Sequence, residues 1–195
     1  LTADSTTVVF ETTLGDIIVA FDADRAPATT EYFLGYVDRG QYDHATLYRV
    51  ASLDGNTEPQ IVQGGVMVEA LNQSGTIDPS VFGVNYLHTL ETTDETGIRH
   101  RRGVVSFARD LLYTGHVIPE IVFCLRDVPA MDAFGRDKPD SRGFPATGYV
   151  ISGMEVIESL ISQPREGATE IPFLKGQILS KPVQITHAYR LQKSP

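Results

Sequence analysis

Two short stretches of sequence decide the fold: Leu47-Tyr48-Arg49-Val50 and, after a mixed segment, Ile61-Val62-Gln63-Gly64-Gly65. Both are rich in the large apolar residues that form β-strands. Each contains one strongly polar side chain, Arg49 in the first and Gln63 in the second. Burying a guanidinium or an amide is unfavourable unless the group is paired or serves a purpose. These two residues are therefore the first candidates for a functional site.

The composition is that of an ordinary globular domain. The chain has 195 residues, of which 42% are hydrophobic and 21% charged, enough for one domain with its own core. The net charge of −9 argues against a nucleic-acid partner, because phosphate binding needs a basic surface. No apolar run is long enough to predict a membrane span. We expect a single domain over residues 1–195, a monomer, with Cys124 a buried and inert thiol.

The first seven residues, Leu-Thr-Ala-Asp-Ser-Thr-Thr, are mostly small and polar and do not begin with methionine. They fit the mature end of an exported protein whose signal peptide was removed, which predicts a periplasmic or secreted location. The alternative is a trimmed chain from the cytoplasm. The five histidines show no metal-binding spacing, so we expect no metal and no cofactor.

Hydrophobic patterning predicts about eight strands, at residues 7–11, 16–22, 47–50, 61–67, 103–108, 118–125, 149–151 and 177–191. Helical spacing predicts two helices, at 24–40, with Pro27 in the first turn, and at 153–161. Turn-forming residues predict a long loop at 68–102 and an irregular loop at 132–148. Because the strands mostly follow one another directly, we predict a mainly-β fold: a closed eight-stranded antiparallel β-barrel with two capping α-helices.

Six segments, in order and over nearly the whole chain, resemble the cyclophilin-type peptidyl-prolyl cis-trans isomerases, and a bacterial subgroup in particular. They are Val9–Ile17, Ala26–Phe33, Leu47–Val50, Ile61–Gly65, Gly103–Arg109 and Gly148–Ile157. The resemblance implies an enzyme that rotates X–Pro peptide bonds during protein folding, with proline-containing polypeptides as partners.

The resemblance also implies roles for individual residues. Arg49 is the expected catalytic residue, donating toward the prolyl nitrogen, and Gln63 is expected to orient the arginine or the substrate carbonyl. Glu120 is a candidate charge partner of Arg49. The positions expected to bind substrate are Tyr48, Gln60, Ile61, Ala108, Glu120, Val122, Met131 and Phe144.

The chain also differs from the family pattern. Gln60, Val122 and Ala130 stand where the family carries aromatic rings, and an insertion, Ser52–Pro59, separates the two key residues. Each lost ring contact is worth roughly 1 kcal/mol, so an attenuated activity is expected. A second class of function therefore stays open, a non-catalytic cyclophilin-like module that binds proline-containing or extended peptide segments.

Overall fold

The barrel consists of eight antiparallel strands. The computed structural model describes residues 6–53, 58–68, 80, 83–111, 114–137 and 139–191. The strands are β1 (Thr6–Thr12), β2 (Gly15–Phe21), β3 (Thr46–Ala51), β4 (Ile61–Gly65), β5 (Val104–Arg109), β6 (Val117–Cys124), β7 (Ala146–Ser152) and β8 (Ile178–Arg190). They close in the order β1-β2-β7-β5-β6-β4-β3-β8, and β8 pairs back with β1. The predicted closed barrel is confirmed, although β7 begins at Ala146 rather than at residue 149.

The two predicted helices are present as α1 (Pro27–Asp38) and α3 (Met154–Ser159). Between them lies a short helix that the sequence did not predict, α2 (Thr93–Thr96), inside the expected loop at 68–102. It begins with a capping box, in which Thr92 N donates to Glu95 Oε2 at 2.8 Å. Residues 69–79 and 81–82 of that loop lie outside the described residues. No helix in the described ranges is long and apolar enough to cross a membrane.

Aromatic rings fill the interior of the barrel. Phe33 of α1 stacks on Phe21 with a centroid separation of 4.6 Å and contacts Phe107 at 5.0 Å. Phe10 and Phe123 meet edge to face at 6.3 Å. Because side chains alternate along a strand, the other face of β4 and β6 carries a second apolar cluster on the outside of the barrel. That outer cluster, which includes the buried Cys124, supports the candidate site.

A distant carboxylate caps the first helix. The residue before α1 is Ala26, which has no side-chain acceptor for the free N–H groups of the first turn. The carboxylate of Glu91 supplies the missing acceptor. It accepts hydrogen bonds from Ala28 N at 2.9 Å, from Thr29 N at 2.8 Å and from Thr29 Oγ1 at 2.7 Å. A negative charge at this end of a helix also interacts favourably with the helix dipole. The contact ties the chain before α2 to α1.

Replacing Glu91 by alanine is expected to lower the free energy of unfolding by about 1–2 kcal/mol, because the amides of the first turn lose their acceptor. Urea denaturation measures the change. Glu155→Ala is a matched control, since Glu155 is an exposed carboxylate in the first turn of α3. Equal losses in the two variants would contradict the capping role of Glu91.

Candidate active site

A cavity of about 490 Å³ lies where β3, β4, β5 and β6 meet the loop before β7 and the segment before β8. Seven of the ten residues predicted for the site line it: Arg49, Ile61, Gln63, Ala108, Val122, Met131 and Phe144. The aliphatic side chains among them and Phe144 form an apolar surface beside the guanidinium of Arg49, and Arg109 and Arg136 also line the cavity. Such a surface can hold a small apolar ring next to a hydrogen-bond donor.

A β-bulge at Tyr48 sets the direction of Arg49. The strand pairing is Leu47 with Gly64 and then Arg49 with Gln63, so Tyr48 is the extra residue. Leu47 and Val50 point into the barrel core, whereas Tyr48 packs in a small outer cluster and Arg49 lines the cavity. The bulge therefore brings two consecutive side chains to the site side of β3.

Two amides hold the guanidinium of Arg49. Its Nη1 donates to Gln63 Oε1 at 2.8 Å, and its Nε and Nη2 donate to Gln177 Oε1 at 2.9 and 2.7 Å. Burial lowers the pKa of Arg49 from its ordinary value. Arginine stays protonated in proteins, so the site holds a cation at neutral pH. In the described part of the chain, no carboxylate forms an ion pair with Arg49.

The expected charge pairing between Glu120 and Arg49 is replaced by a relay. Gln63 Nε2 donates to the Tyr48 hydroxyl at 3.0 Å, and that hydroxyl donates to Glu120 Oε2 at 2.5 Å. The other carboxylate oxygen accepts from Met67 N at 2.8 Å. The three hydrogen bonds from Arg49 Nη1 to Gln63, from Gln63 to Tyr48 and from Tyr48 to Glu120 thus all run in one direction, toward the carboxylate. With this direction, Gln63 presents its oxygen to the arginine.

Burial dominates the electrostatics of this relay. Glu120 and Tyr48 are each 1% exposed. Burial raises the pKa of Glu120 to about 7, although the hydrogen bonds from Tyr48 and from the backbone oppose the shift. Burial also raises the pKa of the Tyr48 phenol well above its usual range. A Cβ at Gly65 would overlap the carboxylate of Glu120, so the absence of a side chain there makes room for the acid.

Three of the residues expected to bind substrate do not line the cavity: Tyr48, Gln60 and Glu120. Tyr48 and Glu120 are covered because they hydrogen-bond to each other behind Gln63. Gln60 is 3% exposed, and its Oε1 accepts from Leu53 N at 2.8 Å. Its amide therefore holds the start of the insertion. Ser52 and Leu53 of that insertion line the cavity, and residues 54–57 lie outside the described residues.

A buried polar set that the sequence did not reveal fixes Met131 and Phe144. Asp132 Oδ1 accepts from His100 N at 2.9 Å and lies 2.8 Å from His100 Nδ1. His100 Nε2 lies 2.9 Å from Ser106 Oγ, which donates to the carbonyl that precedes β7 at 2.8 Å. Burial lowers the pKa of His100, against the opposing effect of Asp132. Ser106 and His100 are 0% and 1% exposed, so this set positions loops and does not meet substrate.

The segment before β8 adds the residues that sequence reasoning missed most clearly. It contributes Ile171, Phe173, Leu174 and Gln177 to the cavity wall. Across the cavity, the Arg136 guanidinium lies over the Phe144 ring, 4.9 Å from its centroid. The apolar run Ile171-Pro172-Phe173-Leu174 inside a polar loop was the one available signal.

The sequence model of the family described as "Cyclophilin type peptidyl-prolyl cis-trans isomerase/CLD" matches residues 7–189. The chain belongs to this family. The predicted family and enzyme class are therefore confirmed. This cyclophilin is 27% identical over 189 residues to peptidyl-prolyl cis-trans isomerase A of Dickeya dadantii, a match that covers 97% of the chain and 86% of the relative.

Solved structures support the fold of this cyclophilin. A Cryptosporidium parvum cyclophilin-type isomerase superposes with a TM-score of 0.67 at 16% identity, covering 97% of the chain and 99% of that protein. The same Cryptosporidium protein was also solved in the presence of the dipeptide Ala-Pro. That structure has a TM-score of 0.66 at 16% identity and covers 96% of the chain and 99% of its own.

Proposed function

We propose that this cyclophilin catalyses the cis–trans isomerisation of X–Pro bonds in polypeptides and that Arg49 acts on the prolyl nitrogen. One observation carries the proposal: the guanidinium of Arg49 lines an apolar cavity and is held by neutral amides rather than by a carboxylate. Its charge is therefore available to a substrate.

The chemistry needs neither a nucleophile nor a proton transfer. The barrier to rotation, about 18–20 kcal/mol, comes from conjugation between the nitrogen lone pair and the carbonyl. A donor aimed at the prolyl nitrogen favours the pyramidal nitrogen of the rotated state, in which that conjugation is lost. An apolar surface that holds the ring still lets the other half of the bond turn. Both contributions are preorganised, and preorganisation is the main source of such catalysis.

The donor count is consistent with this role. A guanidinium has five N–H groups. Gln63 and Gln177 accept from three of them among the described residues. The others are available to a substrate nitrogen or carbonyl. On the apolar side, Ile61, Val122 and Met131 supply the surface against which a prolyl ring packs.

The partner class follows from the same cavity. A likeness to a cyclophilin solved with Ala-Pro supports proline-containing polypeptides as substrates. Assistance in protein folding is part of the proposal. The periplasmic or secreted location, the monomeric state and the absence of nucleic-acid and membrane partners stay predictions.

Exchange spectroscopy by NMR on a short Ala-Pro peptide tests the function. We expect catalytic amounts of the protein to produce cis–trans exchange peaks on a timescale far below the uncatalysed tens of seconds. The non-catalytic binding module is the second candidate, favoured by Val122 in the cavity wall and by the buried Ala130, which does not line the cavity. Shifted peptide signals without exchange would support that module and refute the enzyme.

Phe173 is expected to contribute to substrate affinity. Its side chain lines the cavity yet is 56% exposed, so a bound peptide can cover its ring. Phe173→Ala should raise KM about three- to tenfold with kcat little changed, since one ring contact is worth roughly 1 kcal/mol. Phe134→Ala is the matched control, because Phe134 is 74% exposed and is not among the lining residues. An equal KM for the two variants would contradict the assignment.

A further inference from the structure

The segment that joins α3 to β8 lies outside the barrel but completes the wall of the cavity. It covers residues 160–177 and reaches the guanidinium of Arg49 through Gln177. This contact is made across a separation of 128 positions in the sequence. Gln63, by contrast, lies on the neighbouring strand directly opposite Arg49.

Gln177 is fixed by its surroundings. Its Nε2 donates to the Phe173 carbonyl at 2.7 Å, which leaves Oε1 directed at the arginine. Its backbone N–H donates to the Leu174 carbonyl at 3.0 Å, and its own carbonyl accepts from Val50 N at 2.9 Å. Leu174 is 3% exposed and packs in the same cluster as Tyr48. Backbone, side chain and packing therefore agree on one position for the amide.

We propose that Gln177 is a positioning residue for Arg49, holding the plane of the guanidinium so that its unused N–H groups face the substrate. The inference rests on the proposed function. Gln63 contacts one edge of the guanidinium through Nη1, and that single contact leaves the group able to pivot. Gln177 contacts the other edge through Nε and Nη2, so three bonds from two sides define its plane. A fixed donor loses little orientational freedom when the transition state forms.

The chemistry of an amide suits this role better than a carboxylate. A carboxylate at the same place would form a bidentate ion pair and neutralise the charge of Arg49. The amide oxygen supplies the same hydrogen bonds without that charge. Its NH₂ group also has an acceptor in the Phe173 carbonyl, which a carboxylate would repel. The inference therefore predicts different effects for the loss of the side chain and for the introduction of a charge.

The experiment compares Gln177→Ala and Gln177→Glu, with Gln184→Ala as control, in the full chain. Gln184 is an exposed glutamine on β8 whose Nε2 lies 3.2 Å from His44 Nδ1. Two readouts are taken: kcat and KM for an Ala-Pro peptide, and the NMR signal of the Arg49 Nε–H group. That signal is assigned by its loss in Arg49→Lys.

In Gln177→Ala we expect kcat to fall about tenfold and KM to stay within about twofold of the wild-type value. This pattern is expected when a catalytic donor is present but no longer held in its orientation. The Nε–H signal should shift and exchange faster with water. Gln177→Glu should keep a hydrogen-bonded Nε–H signal and still lose kcat, because the charge is neutralised. Gln184→Ala should match the wild type in both readouts.

An unchanged kcat in Gln177→Ala, or a lower kcat with an unmoved Nε–H signal, would overturn the inference. If Gln177→Ala does not fold, the Gln177→Glu variant decides it: full activity with a bonded Nε–H signal would refute the need for a neutral amide. A wild-type protein without isomerase activity would instead refute the proposed function. The Nε–H signal would then still show whether Gln177 holds Arg49.

Discussion

Replacing Arg49 by alanine is expected to lower kcat/KM for X–Pro isomerisation about 100-fold or more. The change removes the guanidinium that Gln63 and Gln177 hold at the cavity wall. A 100-fold loss corresponds to roughly 3 kcal/mol of transition-state stabilisation. The amide oxygens of Gln63 and Gln177 lose a partner, so a smaller loss of folding stability is expected as well.

Arg49→Lys separates charge from geometry. A lysine keeps the positive charge but cannot donate to Gln63 and Gln177 from the two edges of one plane. We expect its activity to lie much closer to that of Arg49→Ala than to the wild type. NMR exchange measures all three proteins, and Arg102→Ala, which removes an exposed arginine paired with Glu158, is the control. Near-normal activity in Arg49→Lys would show that the charge alone is sufficient.

A pH-dependent loss of stability is expected from Glu120, and Glu120→Gln should remove it. The folded protein holds the proton of Glu120 up to about pH 7, whereas the unfolded chain releases it above 4.5. Stability from this group is therefore fully present below the unfolded pKa and is lost as the pH rises through the folded pKa. The difference corresponds to roughly 3 kcal/mol between pH 4.5 and 8.

Urea denaturation of the wild type and of Glu120→Gln at pH 5, 6, 7 and 8 measures this difference. Comparing the two proteins at each pH also cancels the contribution of His100 to the pH dependence. Its lowered pKa makes the protein less stable as the pH falls below 6.5, which is the opposite of the effect of Glu120. Glu155→Gln, at an exposed position on α3, is the control. Parallel pH profiles for the wild type and Glu120→Gln would rule out the buried acid as the cause.

Activity is expected to follow the opposite trend. The groups that interact with Glu120 are the Tyr48 hydroxyl, the backbone N–H groups of Met67 and Val66 and, through charge interactions, Tyr42 and Tyr32. The ionised carboxylate accepts from the Tyr48 hydroxyl more strongly than the protonated acid does, and this hydrogen bond helps to fix the amide of Gln63 with its oxygen toward Arg49. The wild-type kcat should therefore rise from pH 6 to 8 while the free energy of unfolding falls. The kcat of Tyr48→Phe should not change with pH in this range.

The barrel was predictable because each strand is a short apolar run that can be recognised from neighbouring residues alone. The apolar runs around Arg49 and Gln63 form neighbouring strands, and these two residues lie opposite each other after the bulge at Tyr48. The candidate charge pairing of Glu120 with Arg49 is not formed, for a reason that the sequence does not display. The bulge at Tyr48 places the phenol between the acid and Gln63.

The other missed residues depend on contacts between distant segments. Gln177 was predicted as the first residue of the last strand but lies just before β8, and only the folded chain brings it to Arg49. His100 and Asp132 are 32 positions apart, and their pairing depends on how two loops pack beneath the cavity. No periodicity reports such a contact, because periodicity records which face is buried and not which polar groups meet there.

The space that Gly65 leaves for the Glu120 carboxylate makes the effect of a substitution at one of these positions depend on the residue at the other. A Cβ at position 65 would overlap the carboxylate of Glu120, so the present position of the acid depends on the glycine. A larger residue at position 65 would require the side chain of Glu120 to move from its hydrogen bonds with Tyr48 and Met67. Substitutions at positions 65 and 120, which pair across β4 and β6, are therefore expected to be coupled. A lineage that abandons the glycine must find another way to orient the amide of Gln63.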